Sequence, residues 1–292
     1  MQSENLCSKK LIVFNADDFG MSAEFNEGVK SGFQDGFLTS ACICANGLSF
    51  EYAVNEILPQ CPGIGLGVHL NIIEGKTTRS SFSKRSLLCN SEGLYSNSFH
   101  SLLAKSKNKN LLNEIEADFR NQIEIILSYA KVDHLNSHVH VHGIPDIFEI
   151  TCKLAKEYNI PFVRTQHEHF YIVPGLSTHL NFAYPLNLVK IAILNSFTAI
   201  NKKTAAKYEI STNDYIIGVG YTGLMNSQTI ASGIENIKAE NGITEVLIHP
   251  CSLGSNVNAE NPKYKEFLTT QDVELWEHIK SKGWTLTNYK HI

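Results

Sequence analysis

The chain has 292 residues, 43% of them hydrophobic, with 25 Lys and Arg against 29 Asp and Glu. This suits a globular protein with a sizeable core, and a net charge of −4 without an extended basic run argues against nucleic-acid or membrane-surface partners. No uninterrupted apolar stretch approaches the roughly 20 residues needed to span a bilayer. Residues 186–197 come closest, but Asn187, Lys190, Asn195 and Ser196 break them. The opening residues lack the basic-then-apolar order of a signal peptide. The seven cysteines are odd in number and scattered, so free, mostly buried thiols in a cytoplasmic protein are expected.

In chain order, residues 11–15 read as a buried strand, and a helix follows from about Ser22, with Phe25, Val29 and Phe33 at four-residue spacing. Residues 39–45 and 65–72 are the next strand candidates. The clearest helix is 111–130, where Leu111, Ile115, Phe119, Ile123 and Ile126 form one apolar stripe. A strand over 132–141 comes next, then a helix from near Pro145, a favoured first-turn residue. Short strands at 162–164, 214–219 and 245–248, a helix over about 271–281 ending at Gly283, and a strand at 285–287 complete the pattern.

Repeated strand-then-helix order predicts an α/β fold with a parallel sheet, and seven or eight such units predict a TIM-like (β/α) barrel. One domain over residues 1–292 with inserted loops is expected. Residues 76–108 read as a long loop. Residues 165–213, with His167, His169, Phe170, Tyr171, Tyr184 and a short amphipathic stretch, read as a substrate-rim insertion.

The polar residues that stand out share one place in this pattern. Asp17 and Asp18 follow the first strand, His69 lies towards the end of the third, and His138, His140 and His142 end the next long one. Arg164 follows Phe162-Val163, and His249 follows Val246-Leu247-Ile248. In a parallel barrel these ends open on one face, where catalytic groups gather. Adjacent carboxylates at the mouth of a buried strand are costly unless they bind a cation or move protons, although Asp17-Asp18 also suits a turn and helix cap before Ser22. His69 alone reads more readily as a structural histidine than as a ligand.

The period-two spacing of His138, His140 and His142 places all three on one face of a strand, where a metal or a hydrogen-bond network must organise them. His140 and His142 then serve as orienters of a ligand or as substrate contacts, and Arg164 orients Asp17 or binds substrate. Imidazole with carboxylate is the usual ligand set of a catalytic divalent metal, which points to metal-assisted hydrolysis.

The elements Asn15-Ala16-Asp17-Asp18-Phe19-Gly20, Gly67-Val68-His69-Leu70-Asn71, Asn136-Ser137-His138-Val139-His140-Val141-His142 and Leu247-Ile248-His249-Pro250 resemble, in order, the marker motifs of the YdjC-like carbohydrate deacetylases, which include the chitooligosaccharide deacetylases. Asn26-Glu27-Gly28, Asp214-Tyr215 and Gly220-Tyr221-Thr222-Gly223 also fit. The chain departs from the family pattern at Asn136, where members often carry Asp, and at Cys251, where many carry Gly.

The resemblance implies a TIM-like barrel with one divalent ion (Mg2+ or Zn2+) held by Asp18, His69 and His138, Asp17 as base and His249 as acid. It also implies deacetylation of N-acetylated amino sugars or short oligosaccharides. The competing readings are a metal-dependent phosphoesterase on a similar barrel and a catalytically silent sugar-binding protein. The sequence is also compatible with a homodimer.

Overall fold

The computed structural model describes residues 9–81, 85–175 and 183–292. At its centre lie eight parallel strands: β1 (Lys10–Phe19), β2 (Ser40–Ile43), β3 (Gly65–Leu70), β4 (His134–Ser137), β5 (Phe162–Val163), β6 (Tyr215–Ile217), β7 (Gly242–Ile248) and β8 (Trp284–Leu286). Their order is β5-β4-β3-β2-β1-β7-β6, with β8 paired to β1. β1 is buried from Leu11 to Phe19, as a near-continuous apolar run covered on both faces should be. β8 flanks Lys10–Ile12 of β1, while β2 flanks its later part.

The helices are α1 (Ala23–Gln34), α2 (Phe50–Tyr52, continued by a π turn over Ala53–Ile57), α3 (Phe99–Ala104), α4 (Lys109–Leu127), α5 (Pro145–Glu157), α6 (Ala183–Lys207), α7 (Ser227–Asn236), α8 (Pro262–Thr269) and α9 (Val273–Ser281). The Ser22 hydroxyl caps α1 by accepting from the Phe25 amide, and Asn108 caps α4. The predicted α4 stripe is fully buried at Leu111, Ile115, Phe119, Ile123 and Ile126. α4 packs on β3, α5 on β4 and β5, α7 on β6 and α9 on β8. Among the described residues no helix is long and apolar enough to cross a membrane.

Three expectations are corrected. The parallel α/β order holds, but the sheet is curled and open rather than a closed barrel. β5 and β6, two and three residues long, pair with β4 and β7 but not with each other. Isolated backbone bonds span the seam: Val163 to Ser211 (3.0 Å), Ser211 to Pro161 (2.9 Å) and Ile216 to His167 (2.9 Å).

The strand expected over 132–141 ends at Ser137. Residues 138–143 form a tight turn in which Val139 (φ 54°) and His140 (φ 60°) adopt left-handed backbone, so the three histidines do not share a strand face. Lastly, the stretch read as short and amphipathic is the 25-residue α6. Residues 176–182 of the expected insertion and the Tyr184 side chain lie outside the described residues.

Candidate active site

Adjacent residues of a regular strand point to opposite faces, yet Asp17 and Asp18 both line one cavity of about 650 Å³ at the carboxyl ends of the strands. The backbone explains this. Ala16 pairs with Ala41 and Phe19 with Ile43, so β1 takes three steps where β2 takes two, and the extra residue forms a β-bulge. Asp18 sits in it at φ 64°, a left-handed conformation that Asp tolerates better than most residues.

Asp18 Oδ1 lies 3.3 Å from His69 Nε2 and 3.0 Å from His138 Nδ1. Oxygen and nitrogen ligands about 2.0–2.2 Å from one ion stand roughly 3–3.5 Å apart, so Asp18 is spaced from each imidazole nitrogen as two ligands of one divalent cation would be. Burial disfavours a charged His138, but Asp18 and Glu74 outweigh it and raise the His138 pKa to about 9. The same convergence of carboxylates that attracts a proton attracts a cation. Burial also opposes charge on Asp18, yet hydrogen bonds from His138 and His69 hold its carboxyl well below the usual range.

Asn136 bridges His69 and Asp17. Its Oδ1 lies 2.7 Å from His69 Nδ1, and its Nδ2 donates to Asp17 Oδ1 at 2.8 Å. An amide accepts with one atom and donates with the other, whereas a carboxylate here would face the Asp17 charge. The bond to Nδ1 leaves His69 Nε2 as the nitrogen turned to Asp18.

Asp17 is clamped. Arg164 donates Nη1 to Oδ2 (2.7 Å) and Nη2 to Oδ1 (2.8 Å), and Asn15 donates to Oδ1 at 3.0 Å. Burial pushes the Asp17 pKa up, but the Arg164 and His69 charges prevail and lower it to about 2. Arg164 is wholly buried and also pairs with buried Glu245, which accepts from the Tyr289 hydroxyl.

His249 enters after β7 and lines the cavity. Its backbone amide (2.5 Å) and Nδ1 (3.1 Å) both meet Glu266 Oε2. Burial lowers the His249 pKa, but Glu266 and then Asp18 and Asp17 raise it above the ordinary histidine value.

His140 also lines the cavity, and its buried Nδ1 has no hydrogen-bond partner among the described residues. His142 is directed elsewhere: Nδ1 meets Ser137 (2.5 Å), and Nε2 lies 2.9 Å from the Arg164 carbonyl and from the Gln166 amide. It braces the chain that carries Arg164. Phe170 and Tyr171 of the expected substrate-rim insertion do not line the cavity; Tyr171 packs on Tyr221 instead. The apolar wall is Phe25, Val139, Cys251 and Val257.

Sequence reasoning missed Glu266, Glu245, Lys190, Lys263 and Cys44. Lys263 Nζ stands 3.8 Å from Asp18 Oδ2, and Lys190 of α6 reaches the cavity. Cys44 Sγ, with one ligand atom each of Asp18 and His69, forms a group whose atoms lie within 4.8 Å of one another. The strand-end rule would have found Cys44, since it directly follows β2.

The bulged strand is supported by α1, whose Gly28 faces the segment after His249. A Cβ there would stand 2.3 Å from the Pro250 carbonyl oxygen. Gly28→Ala is therefore expected to push α1 and the His249-Pro250 turn apart, costing about 1–3 kcal/mol in urea unfolding and lowering activity with it. A fully stable, fully active variant would refute this contact.

The pattern described as YdjC-like protein matches residues 11–280. The chain belongs to this family. A carbohydrate deacetylase of Clostridium beijerinckii is 27% identical over 288 residues, 96% of this chain and 99% of the relative. A carbohydrate deacetylase of Brevibacillus brevis is 35% identical over 153 residues, 52% of this chain and 58% of that protein. In fold, this YdjC-like chain is similar to a crystal structure from Enterococcus faecalis V583, of a protein named for cellobiose-phosphate cleavage. The TM-score is 0.73 at 20% identity, covering 97% of this chain and 99% of the other.

Proposed function

We propose that this protein is a metal-dependent carbohydrate deacetylase that removes acetyl from an N-acetylated amino sugar or short oligosaccharide. The observation that carries this reading is the pairing of two differently held carboxylates in one cavity. Asp18 meets two imidazole nitrogens, and Asp17 is held by an arginine and two amides. Family membership and the full-length likeness to a carbohydrate deacetylase support it.

Asp18, His69 and His138 would hold the divalent ion. When bound, such an ion polarises the acetyl carbonyl and acidifies the attacking water. Asp17 accepts the water proton. With a pKa of about 2 it is ionised throughout the working range and so is free to accept a proton. Arg164, Asn136 and Asn15 keep it ionised and fix its direction, with three of the four bonds falling on Oδ1 among the described residues.

His249 then donates its proton to the departing sugar amine, a poor leaving group without it. Glu266 engages Nδ1, so Nε2 is the nitrogen available to the substrate. His140, whose Nδ1 has no hydrogen-bond partner among the described residues, and Lys190 also line the cavity and bind substrate oxygens.

Mass spectrometry of a panel of acetylated mono- and oligosaccharides after incubation with enzyme and ion is expected to show loss of one acetyl group with release of free acetate. A panel left intact would overturn the reading. Lys190 and Lys263 also suit a phosphate, but Asp17, Asp18, Glu24 and Glu266 outnumber them in the cavity. Hydrolysis of p-nitrophenyl phosphate with no deacetylation would reverse that ranking.

His249 supplies a sharper test. Because its pKa is raised, its proton persists above the ordinary value near 6.5, and the rate should fall only on an alkaline limb beyond that value. Glu266→Gln should move this limb to lower pH. His249→Ala should remove it and cripple amide cleavage while largely sparing an activated acetate ester, whose phenolate leaves unaided. Equal losses on both substrates would assign His249 to structure instead.

A further inference from the structure

Four neighbouring parallel strands end in a group able to bind a metal: β1 in Asp18, β2 in Cys44, β3 in His69 and β4 in His138. The register makes this a spatial row. Phe19 pairs with Ile43, Ile43 with Val68 and Leu70 with Ser137, so each donor follows or lies within a residue or two of a paired position. The Cys44 amide bonds the Phe19 carbonyl at 2.8 Å, which ties its backbone to the strand carrying Asp18. Cys44 is fully buried, and its Sγ belongs to the group with Asp18 and His69 whose donor atoms lie within 4.8 Å of one another.

We propose that Cys44 is a further ligand of the ion, engaged by thiophilic cations such as zinc, cobalt and cadmium and left aside by magnesium and manganese. The inference rests on the reading of Asp18 and His69 as ligands. Thiolate is a soft donor and carboxylate a hard one, so a row offering both presents two faces to an ion according to its softness. When a thiophilic ion binds, the Cys44 S–H bond breaks, a sulfur–metal bond forms, and the proton passes to solvent. A hard ion leaves the thiol intact and uses the nitrogen and oxygen donors alone. The site is thereby biased towards zinc and cobalt, and the ion that occupies it decides whether a position is taken by sulfur.

Cobalt titration of the full chain tests this. Wild type is expected to show a thiolate-to-cobalt charge-transfer band, and Cys44→Ser and Cys44→Ala to lack it. Cadmium affinity should fall roughly 100-fold or more in both variants, beyond what loss of an outer partner costs, while manganese affinity changes by less than about 3-fold. X-ray absorption of zinc-loaded wild type needs no variant to fold and should show one sulfur at about 2.3 Å. Cobalt bound without the band, or a band that persists in Cys44→Ala, would overturn the role of Cys44. The ligand reading of Asp18 and His69 fails separately: His69→Ala would then bind cobalt as tightly as wild type.

Discussion

Asp17→Asn is expected to retain the divalent ion and lose roughly 10²–10⁴-fold in turnover, the usual worth of a general base. Its neighbour behaves differently: Asp18→Asn should lose the ion and the activity together. Asp18 is the carboxylate that meets His69 and His138, whereas the Asp17 oxygens are taken by Arg164, Asn15 and Asn136. Elemental analysis with steady-state rates separates the cases. Full occupancy in Asp18→Asn and an empty site in Asp17→Asn would exchange the two roles. Full occupancy in Asp18→Ala, His69→Ala and His138→Ala alike would remove the ligand set altogether.

Arg164→Met carries the largest effect on stability. Arg164 is 0% exposed and neutralises both Asp17 and Glu245, themselves buried. Removing it strands two carboxylates in the interior, a loss of about 3–5 kcal/mol for a broken buried pair. The deficit should depend on pH with a defined sign. In wild type the Asp17 pKa is depressed to about 2, so its contribution is present above the unfolded value near 3.9 and is lost as pH falls towards 2. In the variant the burial of Asp17 is no longer offset by Arg164, so its charge costs least at low pH, where it is protonated, and most as pH rises. The gap between the two proteins in urea unfolding is therefore widest near pH 7 and narrows towards pH 4. A pH-independent deficit under 1 kcal/mol would show that Arg164 does not neutralise the cluster. Arg164→Lys keeps the charge without the two-pronged contact and should fall between.

Much of this arrangement was legible because a parallel sheet sends its carboxyl ends to one face. Apolar runs located β1, β3 and β7, and the polar residues at their ends, Asp17, Asp18, His69 and His249, do come together around the cavity. The same reasoning misread the histidine run. Alternation is the mark of a strand, and nothing in His-Val-His-Val-His announces that Val139 and His140 turn left-handed. That turn separates a prospective ligand (His138), a cavity wall (His140) and a brace (His142).

Open closure was also hidden. β5 and β6 are two and three residues long, at the limit of what periodicity resolves. Glu245 and Glu266 escaped notice because a glutamate in a strand or helix ordinarily reads as solvated. Only the fold shows that Glu245 faces Arg164 and that Glu266 lies beneath His249.

The bulge in β1 makes the site depend on chain length as well as side-chain identity. Ala16 and Phe19 are fixed to their β2 partners, and the surplus residue between them is what brings two neighbouring aspartates to one side. Loss of a single codon in that interval would restore a regular ladder and preserve the core while deleting one of the two carboxylates. On the proposed roles of Asp17 and Asp18, a folded but inert descendant is expected one in-frame deletion away, with no stepwise series of substitutions needed to reach it.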